Sequence, residues 1–267
     1  MDIATAFDSM NHEVVVKALQ SSGMKTDMIL SLMAELSGCT ARISIPGAGS
    51  SDDFPLERGG KQGGVETPDL FNILMEQIVS PLVSSWNGRG FGVFLDAGTP
   101  GITHALWADN IFLLAASVDQ FRIMSQELTT AIYEHTLAWK ECSLQMLCPG
   151  DTEMDVLVYT KDGASLQFKQ VAEMSVLGIM LDRVGSSRLS LDHRLLRGEA
   201  NFWAQSRKLC GPASFAAKMK AWHAGPSTSA LHGASTWLAP QWTLAVIDEG
   251  MGVQMASKSF TATSTTR

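Results

Sequence analysis

Three carboxylates stand where the chain could do chemistry. Asp109 lies between two apolar runs, Ala105-Leu106-Trp107 and Ile111-Phe112-Leu113-Leu114, so a hairpin turn would hold it at the edge of a sheet. Asp2 and Asp8 flank Ala6-Phe7 and form a second acidic site. Two carboxylates from distant segments are what an oxygen-liganded Mg²⁺ site requires. A plainer reading stays open, because Asp109-Asn110 is also a favoured turn pair whose side chains bond their own backbone and tolerate positive φ.

Other candidate chemistry is weaker. The loop Gly59-Gly60-Lys61-Gln62-Gly63-Gly64 could approach phosphate through backbone N–H groups, but it lacks the GxxxxGK[ST] order of a P-loop. Gly88-Arg89-Gly90-Phe91-Gly92 precedes a strand instead of following one, so it reads as a turn. His12, His104 and His135 share no metal-ligand spacing, and no Gly-x-Ser-x-Gly elbow supports a serine triad. Cys39, Cys142, Cys148 and Cys210 form no CxxC pair, which sets aside a zinc module and a disulfide framework. Trp139, Trp203, Trp222, Trp237 and Trp242 could stack bases, although aromatic residues at helical spacing usually belong to a core.

The elements that must position these residues follow from apolar spacing. Helices are expected over Asn11 to Gln20 and over Thr26 to Leu36, the second with Met28, Ile29, Leu32, Met33 and Leu36 inward. Ala41 to Ile45 alternates like a strand and Pro46 to Ser51 reads as turn. Thr67-Pro68 reads as an N-cap with proline in the first helical position, opening an apolar helix through Phe71, Leu74, Met75, Ile78 and Val79 that should weaken or stop at Pro81 and Asn87-Gly88. Phe91 to Leu95, Ile102 to Trp107 and Ile111 to Ala116 read as antiparallel strands, and Val118 to Lys140 as an amphipathic helix. Val156 to Tyr159, Leu166 to Val171 and Val176 to Leu181 continue a small sheet. From Ser190 to about Trp237 the pattern is helical, broken at Gly211-Pro212 and Gly225-Pro226, and Ala256 to Arg267 reads as a frayed polar tail.

Charge is divided unevenly along these elements. The 267 residues carry 20 basic and 27 acidic side chains, but residues 1–182 hold 10 basic against 23 acidic groups, whereas Arg183 to Lys220 holds 8 against 2. Phosphate neutralisation needs lysine and arginine, so any nucleic-acid contact is expected in the second segment. No apolar run reaches the ~18 to 20 residues that span a bilayer, and Met1-Asp2-Ile3-Ala4 does not resemble a signal peptide. The expectation is an intracellular protein, nuclear or cytoplasmic, without a membrane partner.

Taken in order, the motifs Asp2-Ile3-Ala4-Thr5-Ala6-Phe7-Asp8, Arg58-Gly59-Gly60-Lys61-Gln62-Gly63, Thr67-Pro68-Asp69-Leu70-Phe71-Asn72, Trp107-Ala108-Asp109-Asn110 and Leu177-Gly178-Ile179 form a series. That series resembles the reverse transcriptases of non-LTR, LINE-type retrotransposons. The resemblance covers roughly residues 1–182, and Leu231-His232-Gly233 to Trp237 is similar to the end of that family's following helical region.

The resemblance implies an α+β fold: a polymerase palm-like antiparallel sheet backed by helices over 1–182, a mostly helical thumb-like region over 183–250, and a tail over 251–267. It implies RNA-directed DNA polymerase chemistry, with Asp2 and Asp109 holding two Mg²⁺ or Mn²⁺ ions and Asn110 in the place of a third ligand. Phe7 matches the residue that excludes a ribose 2′-hydroxyl, and Gln62 and Gly63 match the loop that supports template and incoming nucleotide. Arg194, Arg197, Arg207 and Lys208 fall where a thumb would grip the backbone. The implied partners are an RNA template, a DNA primer and deoxynucleoside triphosphates.

Departures from the pattern are also expected to matter. Asn110 replaces the hairpin's second aspartate and contributes no negative charge. Lys140 lies near the position of the lysine that follows the hairpin helix, with Ser143 as the other occupant. Almost nothing precedes Asp2, so the reading is a palm lacking its fingers, impaired in activity, with the Met1 ammonium beside the acidic site. The alternative is a catalytically silent remnant that binds RNA or hybrid duplex through residues 183–220, or a decayed element with no role.

Overall fold

The computed structural model describes residues 1–60, 63–96, 98–149 and 154–236. Gln62, Trp237 and Trp242, the end of the expected thumb-like region and the tail therefore lie outside the described residues. The fold is α+β, with helices and small sheets mixed along the chain. The described residues fall into two compact units, one within Met1–Met146 and Glu153–Gln170, the other within Leu147–Thr152 and Val171–Arg267.

The first unit opens with a short helix α1 (Ala6–Ser9), then α2 (His12–Ser21) and α3 (Thr26–Ser37). Asn11 starts α2 because its side chain accepts a hydrogen bond from the Glu13 N–H at 2.9 Å, satisfying one of the unpaired donors of the first turn. α3 turns only Ile29 and Leu36 fully inward, while Met28 is 55% exposed, so the inward face is narrower than its apolar spacing suggests. The expected strand at 41–45 is a broken hairpin instead. β1 (Thr40–Ala41) pairs with β4 (Phe54–Pro55), and β2 (Ser44–Ile45) pairs with β3 (Gly49–Ser50), and every residue of the four but the half-buried Ala41 is exposed.

α4 (Thr67–Gly88) is the central helix of this unit. Leu70, Phe71, Leu74, Met75, Ile78 and Val79 are buried along one stripe, as a 3.6-residue period requires. One local expectation needs correction. Glu66, not Thr67, occupies the cap position, because Thr67 is drawn inside the helix and buried. The helix runs on through Pro81 and ends at Gly88, within the expected Asn87-Gly88 stop, with Trp86 buried in its last turn.

β5 (His104–Trp107) and β6 (Asn110–Leu113) form an antiparallel hairpin, with Val93 and Ile102 joined only by an isolated bridge. α5 (Val118–Glu134) packs against α4, and Met124, Leu128 and Ile132 are completely buried. The chain leaves helix six residues earlier than expected: Thr136 has φ 62°, after which Leu137 and Trp139 are buried while Ala138 and Lys140 are exposed. That period of two is a strand's. β7 (Gln145–Met146), β8 (Val156–Tyr159) and β9 (Ser165–Gln170) complete the unit in the order 7-9-8, with the β8–β9 pair antiparallel.

The second unit begins with a hairpin, β10 (Glu173–Val176) and β11 (Ile179–Asp182), where a single strand is expected. Leu177 and Gly178 both have positive φ, 49° and 82°, which is the two-residue turn a hairpin's twist favours. α6 (Ser187–Ala204), α7 (Ser206–Leu209), α8 (Phe215–Trp222) and α9 (Thr228–Leu231) follow. Phe202, Leu209 and Trp222 are the buried centre of this unit. Gly225-Pro226 is not a break, since the chain winds through His223–Ser227 as a wide helical turn with Pro226 buried.

Candidate metal centre

The first three residues are extended and hydrogen-bonded on both edges. On one side the Ile111 N–H donates to the Met1 carbonyl at 2.9 Å and the Ile3 N–H to the Asp109 carbonyl at 3.2 Å. On the other, the Lys140 N–H donates to the Asp2 carbonyl at 2.9 Å and the Ala4 N–H to the Ala138 carbonyl at 2.9 Å. Asp2 is thus registered against Asn110, and Ile3 against Trp139. Directly opposed residues share a face. Ile3, Ile111 and Trp139 are buried on one face, which leaves Asn110, Asp2 and Lys140 in a row across the other.

Asp109 reaches this row from the hairpin turn. The register Trp107 with Asn110 makes Ala108-Asp109 the two-residue loop, and Ala108 carries the positive φ, 52°. The plainer reading of Asp109-Asn110 as a turn pair therefore fails. Asn110 belongs to β6, and the left-handed position is filled by alanine, for which it is uncommon.

The electrostatics follow from this convergence. Burial raises the Asp109 carboxyl above the ordinary aspartate range, and the neighbouring Asp2 charge and a hydrogen bond with Asp2 push it further, against its own backbone hydrogen bond and the charge of Lys140. Asp2 Oδ2 lies 3.5 Å from Lys140 Nζ. Asp2 Oδ1 is buried with no hydrogen-bond partner. The Asp2 N–H donates to Ser143 Oγ at 2.8 Å, so both residues expected near the hairpin-helix lysine position touch Asp2, one through its side-chain hydroxyl and one through its ammonium. The Met1 nitrogen is turned to the Ile111 carbonyl at 3.1 Å.

A divalent cation fits these groups. An orphaned carboxylate oxygen in a buried position calls for a partner, and two carboxylates with the Asn110 amide oxygen make a hard-oxygen donor set of the kind Mg²⁺ and Mn²⁺ accept. Among the described residues no group of three or more His, Cys, Asp or Glu side chains could hold a metal. Water or substrate oxygens would have to complete the coordination.

The remaining expected site residues are placed as follows. Phe7 is half-buried and packs edge-on against Phe71, ring centroids 5.2 Å apart. Asp8 is exposed on α1, and the carboxylate that meets Asp2 is Asp109. Gly63 has φ 80° with open space around it. The preceding glycines dock the loop onto α1: the Gly60 N–H donates to the Phe7 carbonyl at 2.9 Å, the Gly59 N–H to the Met10 carbonyl at 2.8 Å, and His12 Nε2 bonds the Gly59 carbonyl at 2.9 Å. In the second unit Arg197, Arg207 and Lys208 are exposed, whereas Arg194 donates to the Gly178 carbonyl at the β10–β11 turn. Trp139 and Trp222 are core residues, and Trp203 is 48% exposed.

A strand carrying an aspartate, set beside a hairpin that carries another at its tip, directs attention to nucleotidyl-transferring families. The chain belongs to the reverse transcriptase (RNA-dependent DNA polymerase) family, whose model matches residues 1–181. It is similar to the "Retrovirus-related Pol polyprotein from type-1 retrotransposable element R2" of Popillia japonica, 27% identical over 119 residues, which is 45% of this chain and 15% of that protein. It is also similar to the "Retrovirus-related Pol polyprotein from type-2 retrotransposable element R2DM" of Drosophila melanogaster, 28% identical over 116 residues, 43% of this chain and 10% of that protein. The chain thus spans a small fraction of the length of the curated relatives it matches. Among the described residues no helix is long and apolar enough to cross a membrane.

Proposed function

We propose that the chain carries the palm of an RNA-directed DNA polymerase over residues 1–182 and a thumb-like region over 183–250, adding deoxynucleotides to a primer 3′-hydroxyl on an RNA template. The observation behind this reading is the meeting of Asp2 and Asp109, from segments more than a hundred residues apart, with one Asp2 oxygen buried and unpartnered. The names of the retrotransposable-element relatives support the same substrate class.

Asp2, Asp109 and the Asn110 oxygen would hold the cations. With Mg²⁺ or Mn²⁺ bound, the site would gain the two-metal chemistry that activates a hydroxyl and stabilises the charge on the transferring phosphoryl group. The chain's own contribution is positioning. Asp2 is fixed by backbone bonds on both strand edges, and Ser143 holds its N–H. The raised Asp109 carboxyl favours cation binding at neutral over acidic pH, because protonation removes a ligand. Phe7, held by Phe71 and by the Gly60 N–H, stands close by in sequence as the side chain that would select against a 2′-hydroxyl. Gln62 and Gly63 would support template and nucleotide. Arg197, Arg207 and Lys208 offer the exposed charge for backbone contact.

Primer extension on an RNA template with Mn²⁺ tests the reading. Incorporation is expected in the native protein and absent in Asp109→Asn, and incorporation indifferent to that substitution would refute it. A second reading, binding of hybrid duplex without synthesis, is favoured by two observations: Asn110 carries no charge, and Lys140 offsets part of what the aspartates supply. Retention of an RNA–DNA hybrid with no incorporation at saturating Mn²⁺ would decide for it.

A further inference from the structure

Lys140 occupies an unusual place for a cation in a site that is to bind cations. It stands beside Asp2 on the open face, in the row Asn110, Asp2, Lys140, with Nζ 3.5 Å from Asp2 Oδ2. The Asp2 side chain is only 23% exposed, whereas that of Lys140 is 56% exposed and has solvent into which to withdraw. The second Asp2 oxygen is buried without a partner, so the ammonium covers one side of the carboxylate and leaves the other bare. Without Lys140, two neighbouring carboxylates would face each other with little water to separate them.

We propose that Lys140 is a tethered counter-cation, seated on the Asp2–Asp109 pair while the site is empty and displaced when a divalent ion enters. This rests on the reading of Asp2 and Asp109 as the cation site and adds to it a positioning residue that sets metal affinity. Like charges repel across a single carboxylate, so an ion arriving at the unpartnered Oδ1 and the ammonium on Oδ2 compete for Asp2. The backbone of Lys140 plays a separate part. Its N–H to the Asp2 carbonyl, 2.9 Å, survives replacement of the side chain, and the strand register with it.

Mn²⁺ alone is the probe, its binding followed by electron paramagnetic resonance on the full chain. Lys140→Met is expected to tighten Mn²⁺ binding by about fivefold, the scale of a partly exposed ion pair, and Lys140→Arg, which keeps the charge, to bind like the native protein. A merely structural lysine would not strengthen a ligand when removed. Thermal unfolding gives a second readout: Lys140→Met should melt below the native protein without metal and level with it at saturating Mn²⁺. Unchanged or weaker binding by Lys140→Met with native circular dichroism overturns the inference while leaving the proposed function standing, provided Asp109→Asn still loses Mn²⁺. Undiminished binding by Asp109→Asn places the ion elsewhere and overturns both.

Discussion

Asp2 is registered directly opposite Asn110 across an antiparallel bridge, so the residue that departs from the family's second hairpin aspartate faces the first aspartate of the site. An amide there offers an oxygen but no charge. Asn110→Asp should therefore tighten Mn²⁺ binding by about tenfold, ~1.4 kcal/mol, and lower thermal stability in the absence of metal, where a further carboxylate meets Asp2 and Asp109. Titration calorimetry with Mn²⁺, beside unfolding in a chelator, reads both effects.

The end of α4 is tied to α5 by charge. Trp86 Nε1 donates to Glu127 Oε2 at 2.7 Å, and Arg89 donates to both Glu127 oxygens at 3.0 and 2.6 Å while lying over the Phe91 ring. Burial alone would raise the Glu127 carboxyl, but the Arg89 and Trp86 hydrogen bonds overcome it and hold the group below its ordinary range. A depressed carboxyl stabilises the fold fully above its unfolded pKa, and that contribution is lost as pH falls through the folded one. Glu127→Gln should cost about 1 kcal/mol at neutral pH, discounted for partial exposure, and should flatten the acid limb of stability measured by urea unfolding between pH 3 and pH 7, roughly the window set by carboxylate titration.

Gly59 and Gly63 share a left-handed backbone, φ 84° and 80°, but not their surroundings. A Cβ on Gly59 would lie 2.8 Å from the Asp8 Cα, whereas one on Gly63 meets nothing within 4 Å. Gly63→Ala is expected to cost about 1 kcal/mol of conformational strain, and Gly59→Ala clearly more, because the loop must leave α1. Equal losses in denaturant titration would contradict this account of the loop.

The basic helices can be divided by what their side chains already do. Charge reversal at Arg197, Arg207 and Lys208 should weaken binding of an RNA–DNA hybrid and reduce the slope of log K against log salt by about 2 to 3. Arg194→Met should act chiefly on stability, because that guanidinium serves the Gly178 carbonyl. Filter binding over a salt series, with thermal unfolding of each variant, separates the two.

Much of the scaffold was legible because its periodicity is strong. The stripe from Leu70 to Val79 and the alternation of Val156 to Tyr159 leave little choice of element. The site was legible only through resemblance, since spacing alone left Asp109-Asn110 as a turn pair and paired Asp2 with Asp8. The extended segment at 138–140 is hidden for a physical reason: Leu137 and Trp139 extend the apolar spacing of α5, and the left-handed turn at Thr136 that ends the helix is one threonine seldom signals. With that segment unseen, the approach of Lys140 to Asp2 could not be read. The hairpin at 173–182 was missed similarly, because Leu177 occupies a turn position with an apolar side chain.

Hydrogen bonding of the opening strand along both edges also guards the chemistry against slippage. A slide of one residue in either ladder would drive an acid into the greasy interior now filled by Ile3 and expel that isoleucine into water. Misalignment would thus be punished by solvation before it could harm function, and the chain needs no separate device to keep its acid on the correct side.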